Sequence, residues 1–226
     1  VIGIISRNNK GSFMKTRPSK IVCVGRSYAD HVKELNNAMP GRPVLFIKPP
    51  SSLIGLDEGI SWNPAWGSCH FECEFVLRID QPLKGETDPQ KVLQAIGAVT
   101  LGLDLTLRDL QNELKDKGQP WERAKAFDGS CVLADWVDVS EITNWEETRF
   151  TFHINDELRQ DGNTALLMFN IAYLLVDINQ VFSLEPGDVI MTGTPAGVGP
   201  LNAGDQLKMT LKGATQDFVW ETFVKA

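Results

Sequence analysis

The sequence predicts an α+β protein in which strands predominate, built as a single domain. Three observations carry this expectation. From Ile21 onward, short apolar runs alternate with Gly and Pro punctuation, the pattern of many short strands. Only three stretches show helical periodicity. No linker divides the 226 residues, a length sufficient to bury a substantial core.

Strands are expected over residues 21–24, 44–47, 71–79, 98–105, 150–154, 188–192 and 206–211. Two turns, Glu185-Pro-Gly-Asp188 and Asn202-Ala-Gly-Asp205, each lead into an apolar strand. Glycine at the third position suits a type II turn. Ser27-x-x-Asp30 opens a short helix running to Leu35, and Thr106-x-x-Asp109 is a second capping box. The latter places Leu107, Leu110 and Leu114 on one face, with Gly118 and Pro120 as stops. Asn170 caps a third helix, with Ile171, Leu174, Leu175, Ile178 and Val181 as its core stripe.

Composition narrows the function classes. There are 22 basic and 29 acidic side chains, a net charge of −7 and a pI near 5.0. Nucleic-acid binding needs clustered Lys/Arg to neutralise phosphates, so it is not expected. The longest apolar run, over 95–103, is broken by Gly97, Thr100 and Gly102 and is too short to span a bilayer. Cys23, Cys69, Cys73 and Cys131 form no CxxC pair and no disulfide framework, which points to a reducing, cytoplasmic setting. Residues 1–19 read as a flexible basic arm ahead of a catalytic domain over 20–226. Its Arg7, Lys10, Lys15 and Arg17 are met by no acidic residue.

The chemistry concentrates in His70-Phe-Glu-Cys-Glu-Phe-Val-Leu-Arg78. Side chains alternate along a strand, so Glu72 and Glu74 share a face about 7 Å apart. Such a pair is either a solvated face or a site for a neutralising cation. Cys69 and Cys73 point to the other face, so a zinc site combining them with a glutamate would need ligands from both sides. Asp104 ends a nearly all-apolar run, where a carboxylate is costly unless it is hydrogen-bonded, paired or metal-bound. Together the three make an all-oxygen donor set of the kind Mg²⁺ or Mn²⁺ takes.

His31 and Glu34, three apart on the first helix, share a face, and a carboxylate beside an imidazole can orient it for proton transfer. Lys125 and Arg26 are candidates for holding an anionic substrate. Thr192-Gly-Thr-Pro-Ala-Gly-Val-Gly199 lacks the Gly-Lys-Ser/Thr ending of a phosphate loop. It reads as a tight loop whose amides, with the Thr194 hydroxyl, could hold a carboxylate. His153 reads as an ordinary strand residue, and His70 as a neighbour of the acidic pair.

These blocks, in this order, resemble the fumarylacetoacetate hydrolase family, most closely its short single-domain acylpyruvate hydrolase and oxaloacetate decarboxylase branch. The matching text is Val24-Gly-Arg-Ser-Tyr-Ala-Asp-His-Val-Lys-Glu34, Pro43-Val-Leu-Phe-Ile-Lys-Pro49, His70-Phe-Glu-Cys-Glu74, Leu103-Asp-Leu-Thr-Leu-Arg-Asp109, Gly118-Gln-Pro-Trp-Glu-Arg-Ala-Lys125 and Gly187-Asp-Val-Ile-Met-Thr-Gly-Thr-Pro-Ala-Gly-Val-Gly199. The resemblance implies a mixed β-roll, a homodimer, and Mg²⁺ or Mn²⁺ held by Glu72, Glu74 and Asp104. It implies catalytic roles for His31, Glu34 and Lys125, and substrate contacts from Arg26, Arg108, Gln111 and Thr194. The activity it implies first is hydrolysis of acylpyruvates to pyruvate and a carboxylic acid, with His31 activating water. Oxaloacetate decarboxylation, oxaloacetate keto–enol tautomerisation and non-catalytic binding of a small anionic 2-oxo acid are the alternatives. The motifs discriminate the family and not the acyl group.

Overall fold

The computed structural model describes residues 17–35 and 38–225. In chain order its elements are β1 (Ile21–Gly25), α1 (Ala29–Glu34), β2 (Val44–Lys48), β3 (Leu53–Gly55), β4 (Cys69–Phe71), β5 (Cys73–Ile79), α2 (Pro89–Gln94), β6 (Ile96–Asp104), β7 (Thr106–Leu107) and α3 (Arg108–Asp116). There follow α4 (Glu122–Lys125), β8 (Cys131–Leu133), β9 (Val137–Asp138), β10 (Arg149–Ile154), β11 (Glu157–Asn163), α5 (Ile171–Val181), β12 (Val189–Met191), β13 (Gly199–Pro200), β14 (Gln206–Lys212) and β15 (Asp217–Phe223).

The main sheet is curled and mixed, ordered β2-β1-β12-β5-β6-β8-β3 with β9 also on β6. The pairs β1·β12 and β3·β8 are parallel, while β5·β6 and β1·β2 are antiparallel. Its strands are apolar on both faces. Val22, Val24, Phe75 and Leu77 enter the larger core, whereas Ile21, Cys23, Val76 and Met191 form a second cluster on the other side. Burial on both faces is why these strands read as continuous apolar runs rather than alternations. A four-stranded sheet, β11-β10-β14-β15, adds Phe150, Phe152, Leu207, Met209 and Leu211 to the larger core. Burying each such side chain contributes about 1.5–3 kcal/mol. The rings of Phe152 and Phe71 meet at 4.8 Å, joining this sheet to the small three-stranded unit β13-β4-β7.

Most expected elements are present, with four corrections. The single strand expected over 71–79 is two, β4 and β5, because the chain breaks step at Glu72 and β4 leaves to pair with β7 and β13. Thr106 does not cap α3: its hydroxyl donates to Asp104 O (3.1 Å) and accepts from Lys125 Nζ (2.7 Å). Ser27 does not cap α1 either, since its hydroxyl donates to Val24 O at 3.2 Å. Asn170 does cap α5, accepting from Tyr173 N at 2.9 Å, and Ile171, Leu174, Leu175 and Ile178 are buried, but Val181 is 65% exposed. Both expected turns form, with Gly187 and Gly204 at positive φ (96° and 87°) and their aspartate amides returning to Glu185 O and Asn202 O.

The basic arm lies outside the described residues as far as residue 16. Beyond that, Pro18 is buried, and Ser19 and Lys20 donate to the Asp188 carboxylate. All four cysteines are buried and unpaired. No helix among the described residues is long and apolar enough to cross a membrane.

Candidate metal centre and active-site cleft

Antiparallel pairing of β5 with β6 sets Glu74 opposite Gly102, and the Asp104 amide donates to Glu72 O at 2.9 Å just beyond. Glu72 and Glu74 are two residues apart, and Asp104 is tied to the first by its own backbone, so the three carboxylates converge. Their ligand atoms lie within 4.8 Å of one another, and all three residues are buried. Gly102 lets β8 lie close against β6: a Cβ there would stand 2.6 Å from Leu133 and 2.9 Å from Val132 O.

Three buried cations answer the cluster. Lys125, from α4, donates to Glu72 Oε2 (2.8 Å), Asp104 Oδ2 (2.7 Å) and Thr106. Arg108, at the start of α3, pairs with Glu72 Oε1 and donates to Gln111 Oε1 at 2.7 Å. Lys48, at the end of β2 and fully buried, stands 2.9 Å from Asp104 Oδ1 and donates to Lys125 O, Ser130 O (3.0 Å) and Leu105 O (3.4 Å).

The local charges pull the glutamates apart. Burial would raise the Glu72 pKa, but Lys125 and Arg108 overcome it and hold the carboxyl well below its ordinary value. Glu74 is raised far above it, first by burial and then by the charges of Asp104 and Glu72, against the single amide of Gly193 donating at 2.8 Å. Lys125 is desolvated too, yet Asp104 and Glu72 push its pKa above that of an ordinary lysine. The donor set fits a hard divalent cation. It is all carboxylate oxygen, and Asp104 Oδ1, buried and near Lys48, accepts no hydrogen bond, leaving lone pairs for an ion.

The expected dyad is formed. His31, buried on α1, meets Glu34 Oε2 through Nδ1 at 3.1 Å, and Gly197 N donates to Glu34 Oε1 at 3.0 Å. The glycine-rich loop does hold carboxylates, but they are the protein's own, Glu74 through Gly193 and Glu34 through Gly197. Both glycines are at φ of +100°, and a Cβ on Gly197 would sit 2.0 Å from Arg159 O.

A narrow cleft of about 30 Å³, open to solvent, lies beside the cluster. It is lined by His31, Glu72, Asp104 and Lys125 at the inner end, with Arg26, Arg108 and Gln111 alongside and Lys115 and Trp121 further along. Arg26 takes a positive φ of 58° where the chain leaves β1. Thr194 sits against the acidic strand rather than among the residues lining the cleft: its buried hydroxyl donates to Cys73 O (2.8 Å) and accepts from Gln160 Nε2 (2.7 Å). Sequence reasoning assigned no role to Lys48, Gln160 or Lys115. For Lys48 a signal existed, a lone lysine closing the apolar run Val44-Leu-Phe-Ile; for Lys115, on a charge-rich helix, there was none.

A curled mixed sheet with three converging carboxylates and a flanking His–Glu dyad defines an enzyme scaffold whose oxygen donors could hold a divalent ion. The chain belongs to the fumarylacetoacetate hydrolase family: the model of the fumarylacetoacetate hydrolase C-terminal domain matches residues 20–218. It is 42% identical over 207 residues to the oxaloacetate tautomerase YcgM of Escherichia coli (strain K12), covering 91% of this chain and 94% of that protein. Among solved structures, an Oleispira antarctica protein assigned as a fumarylacetoacetate isomerase/hydrolase is 43% identical. It superposes with a TM-score of 0.88 over 93% of this chain and 95% of its own. The fumarylpyruvate hydrolase of Pseudomonas aeruginosa, solved with Mn²⁺ and pyruvate, is 25% identical, with a TM-score of 0.84 over 96% of this chain and 94% of its own.

Proposed function

We propose that this chain interconverts the keto and enol forms of oxaloacetate at a divalent metal ion held by Glu72, Glu74 and Asp104. The observation that carries the reading is the charge of the cleft: Arg26, Arg108, Lys115 and Lys125 line it together with only two of the three carboxylates. With a dication added, that lining favours a dianion over a monoanion. The name of the Escherichia coli relative supports the same substrate. The first expectation from the resemblance, acylpyruvate hydrolysis, therefore becomes the second reading.

A bound Mg²⁺ or Mn²⁺ would supply Lewis-acid polarisation of the 2-oxo group. The chain's residues do the rest. Glu34, fixed at one oxygen by Gly197 N, holds His31 through Nδ1 and leaves Nε2 for proton transfer. His31 takes the proton from C3 and hands it to the 2-oxo oxygen, so the isomerisation consumes no water and no co-reactant. Lys125, with its raised pKa, stays an ammonium throughout and acts as a fixed positive charge rather than an acid. Arg108 and Gln111, hydrogen-bonded to each other, present a preorganised edge to the substrate.

The test is ultraviolet decay of enol oxaloacetate with magnesium and with EDTA, coupled to pyruvate detection. Magnesium-dependent loss of the enol band with no pyruvate supports the reading; stoichiometric pyruvate, or decay no faster than in buffer, overturns it. The same dyad can orient water, which favours acylpyruvate hydrolysis as the second reading, as does the fumarylpyruvate hydrolase neighbour. Magnesium-dependent pyruvate release from acetylpyruvate would establish it.

A further inference from the structure

One wall of the cleft is aromatic. The rings of Phe46 and Trp121 meet edge to face at 6.0 Å, and each carries a lysine: Lys125 Nζ is 5.3 Å from the Phe46 centroid and Lys115 Nζ is 5.5 Å from that of Trp121. The two lysines differ in one respect. Lys125 is consumed by Glu72, Asp104 and Thr106, whereas the Lys115 ammonium forms no hydrogen bond or ion pair among the described residues. Lys115 follows Arg108 and Gln111 along one face of α3, at i, i+3 and i+7, so the stripe runs outward from the carboxylate cluster by about 10 Å of helix rise.

We propose that Lys115 is a specificity-determining residue. Its ammonium, poised over Trp121, receives the second carboxylate of a short dicarboxylic 2-oxo acid whose 2-oxo-carboxylate end lies against Glu72, Glu74 and Asp104. This rests on the reading above and deepens it, since it states what separates oxaloacetate from its monocarboxylate counterpart. The surroundings agree: Lys115 is half-buried, and its pKa is lowered to about 8 by that burial and by the charges of Arg108 and Arg26, a crowding that an incoming anion relieves. Trp121 holds the ammonium without neutralising it, because a ring face attracts a cation and contributes no counter-charge.

The experiment uses pyruvate and oxaloacetate, which differ by that one carboxylate. Dissociation constants for both are measured by calorimetry on the magnesium-loaded full chain and on Lys115→Met and Lys115→Arg. An oxaloacetate solution at its keto–enol equilibrium serves as ligand, because a tautomerase leaves it unchanged. We expect Lys115→Met to weaken oxaloacetate about tenfold, the size of one charge-assisted hydrogen bond. Pyruvate should change less than about twofold, and Lys115→Arg should restore most of the loss by keeping charge and stacking. Equal weakening of both ligands, or none, overturns the assignment. The two readings fail separately. Lost discrimination in a chain that never tautomerises oxaloacetate sinks the activity and supports Lys115 as the carboxylate reader; intact turnover with unchanged discrimination sinks Lys115 alone.

Discussion

Lys48→Met replaces a fully buried ammonium by a thioether of similar length, which tests whether this lysine is a counter-ion or merely a filler. Removing one partner of a buried ion pair costs about 3–5 kcal/mol, because the other charge is left uncompensated. Here the lower end applies. Asp104 keeps Lys125 Nζ at 2.7 Å, and two of the three carbonyls that Lys48 serves have other donors: Ser130 O accepts from Leu105 N (2.9 Å) and Lys125 O from Ser130 Oγ (2.9 Å). The metal-free variant should therefore lose about 3 kcal/mol, or roughly 6–12 °C in Tm for a chain of this size. A divalent ion on Asp104 would supply most of the missing charge, so with saturating magnesium the loss should shrink to about 1 kcal/mol. By linkage, magnesium should then bind the variant about thirtyfold more tightly than the unmodified chain, an unusual direction for a mutation beside a metal site. Urea unfolding with and without magnesium, with calorimetric titration of the ion, reads both quantities. The same loss in both conditions, or weaker magnesium binding, would refute the counter-ion role and leave Lys48 a packing residue.

Two further outcomes follow from the same electrostatics. The raised Glu74 pKa means that its proton must leave before an ion can be held, so magnesium affinity should rise with pH between the ordinary carboxylate value and the raised one. Calorimetry just above the ordinary carboxylate pKa, in two buffers of different ionisation enthalpy, should show net proton release on ion binding, and none released would count against the assignment. The stability sign is opposite: the metal-free protein holds this proton more tightly when folded, so the stabilisation is full below about 4.5 and is lost as pH rises through the folded value. For the dyad, His31→Ala should lower kcat for enol decay by roughly 10²–10⁴ while leaving magnesium affinity within about twofold; a kcat loss below tenfold would remove His31 from proton transfer.

What was legible in the sequence follows a physical rule. Strands of the main sheet announce themselves because both their faces are buried and apolar, as in β5 and β6. By contrast, β11 gave no apolar signal, although it pairs along the whole of β10. Its buried positions are Gln160, which spends its amide on Cys73, Thr194 and Pro195, and Gly162, where a Cβ would lie 2.2 Å from the Phe150 ring. Its one leucine, Leu158, is 52% exposed. Counting apolar residues cannot find a strand whose inner face is an amide and a hydrogen atom. The two failed caps share a cause: Ser27 and Thr106 matched the box by spacing, but tertiary partners claimed both hydroxyls. At the site, Glu72, Glu74 and Asp104 were readable because each is a carboxylate in an apolar setting. Lys115 was not, because a lysine on a charged helix looks the same whether it faces solvent or Trp121.

The same charges bear on the dicarboxylate proposed as substrate. Before any ion is bound, Lys48, Lys125 and Arg108 already balance the three carboxylates Glu72, Glu74 and Asp104. A dication held there would add a positive surplus to that balance. Two unit charges 4 Å apart interact by about 4 kcal/mol at the effective dielectric of a partly buried site. The surplus therefore favours a ligand that returns two negative charges, one at the cluster and one further along the aromatic wall. A neutral ligand would leave it standing, and a monoanion would cancel half. Buried cations around a candidate metal centre look wasteful when only the metal is considered. They become intelligible once the proposed dicarboxylate is counted as part of the same charge balance.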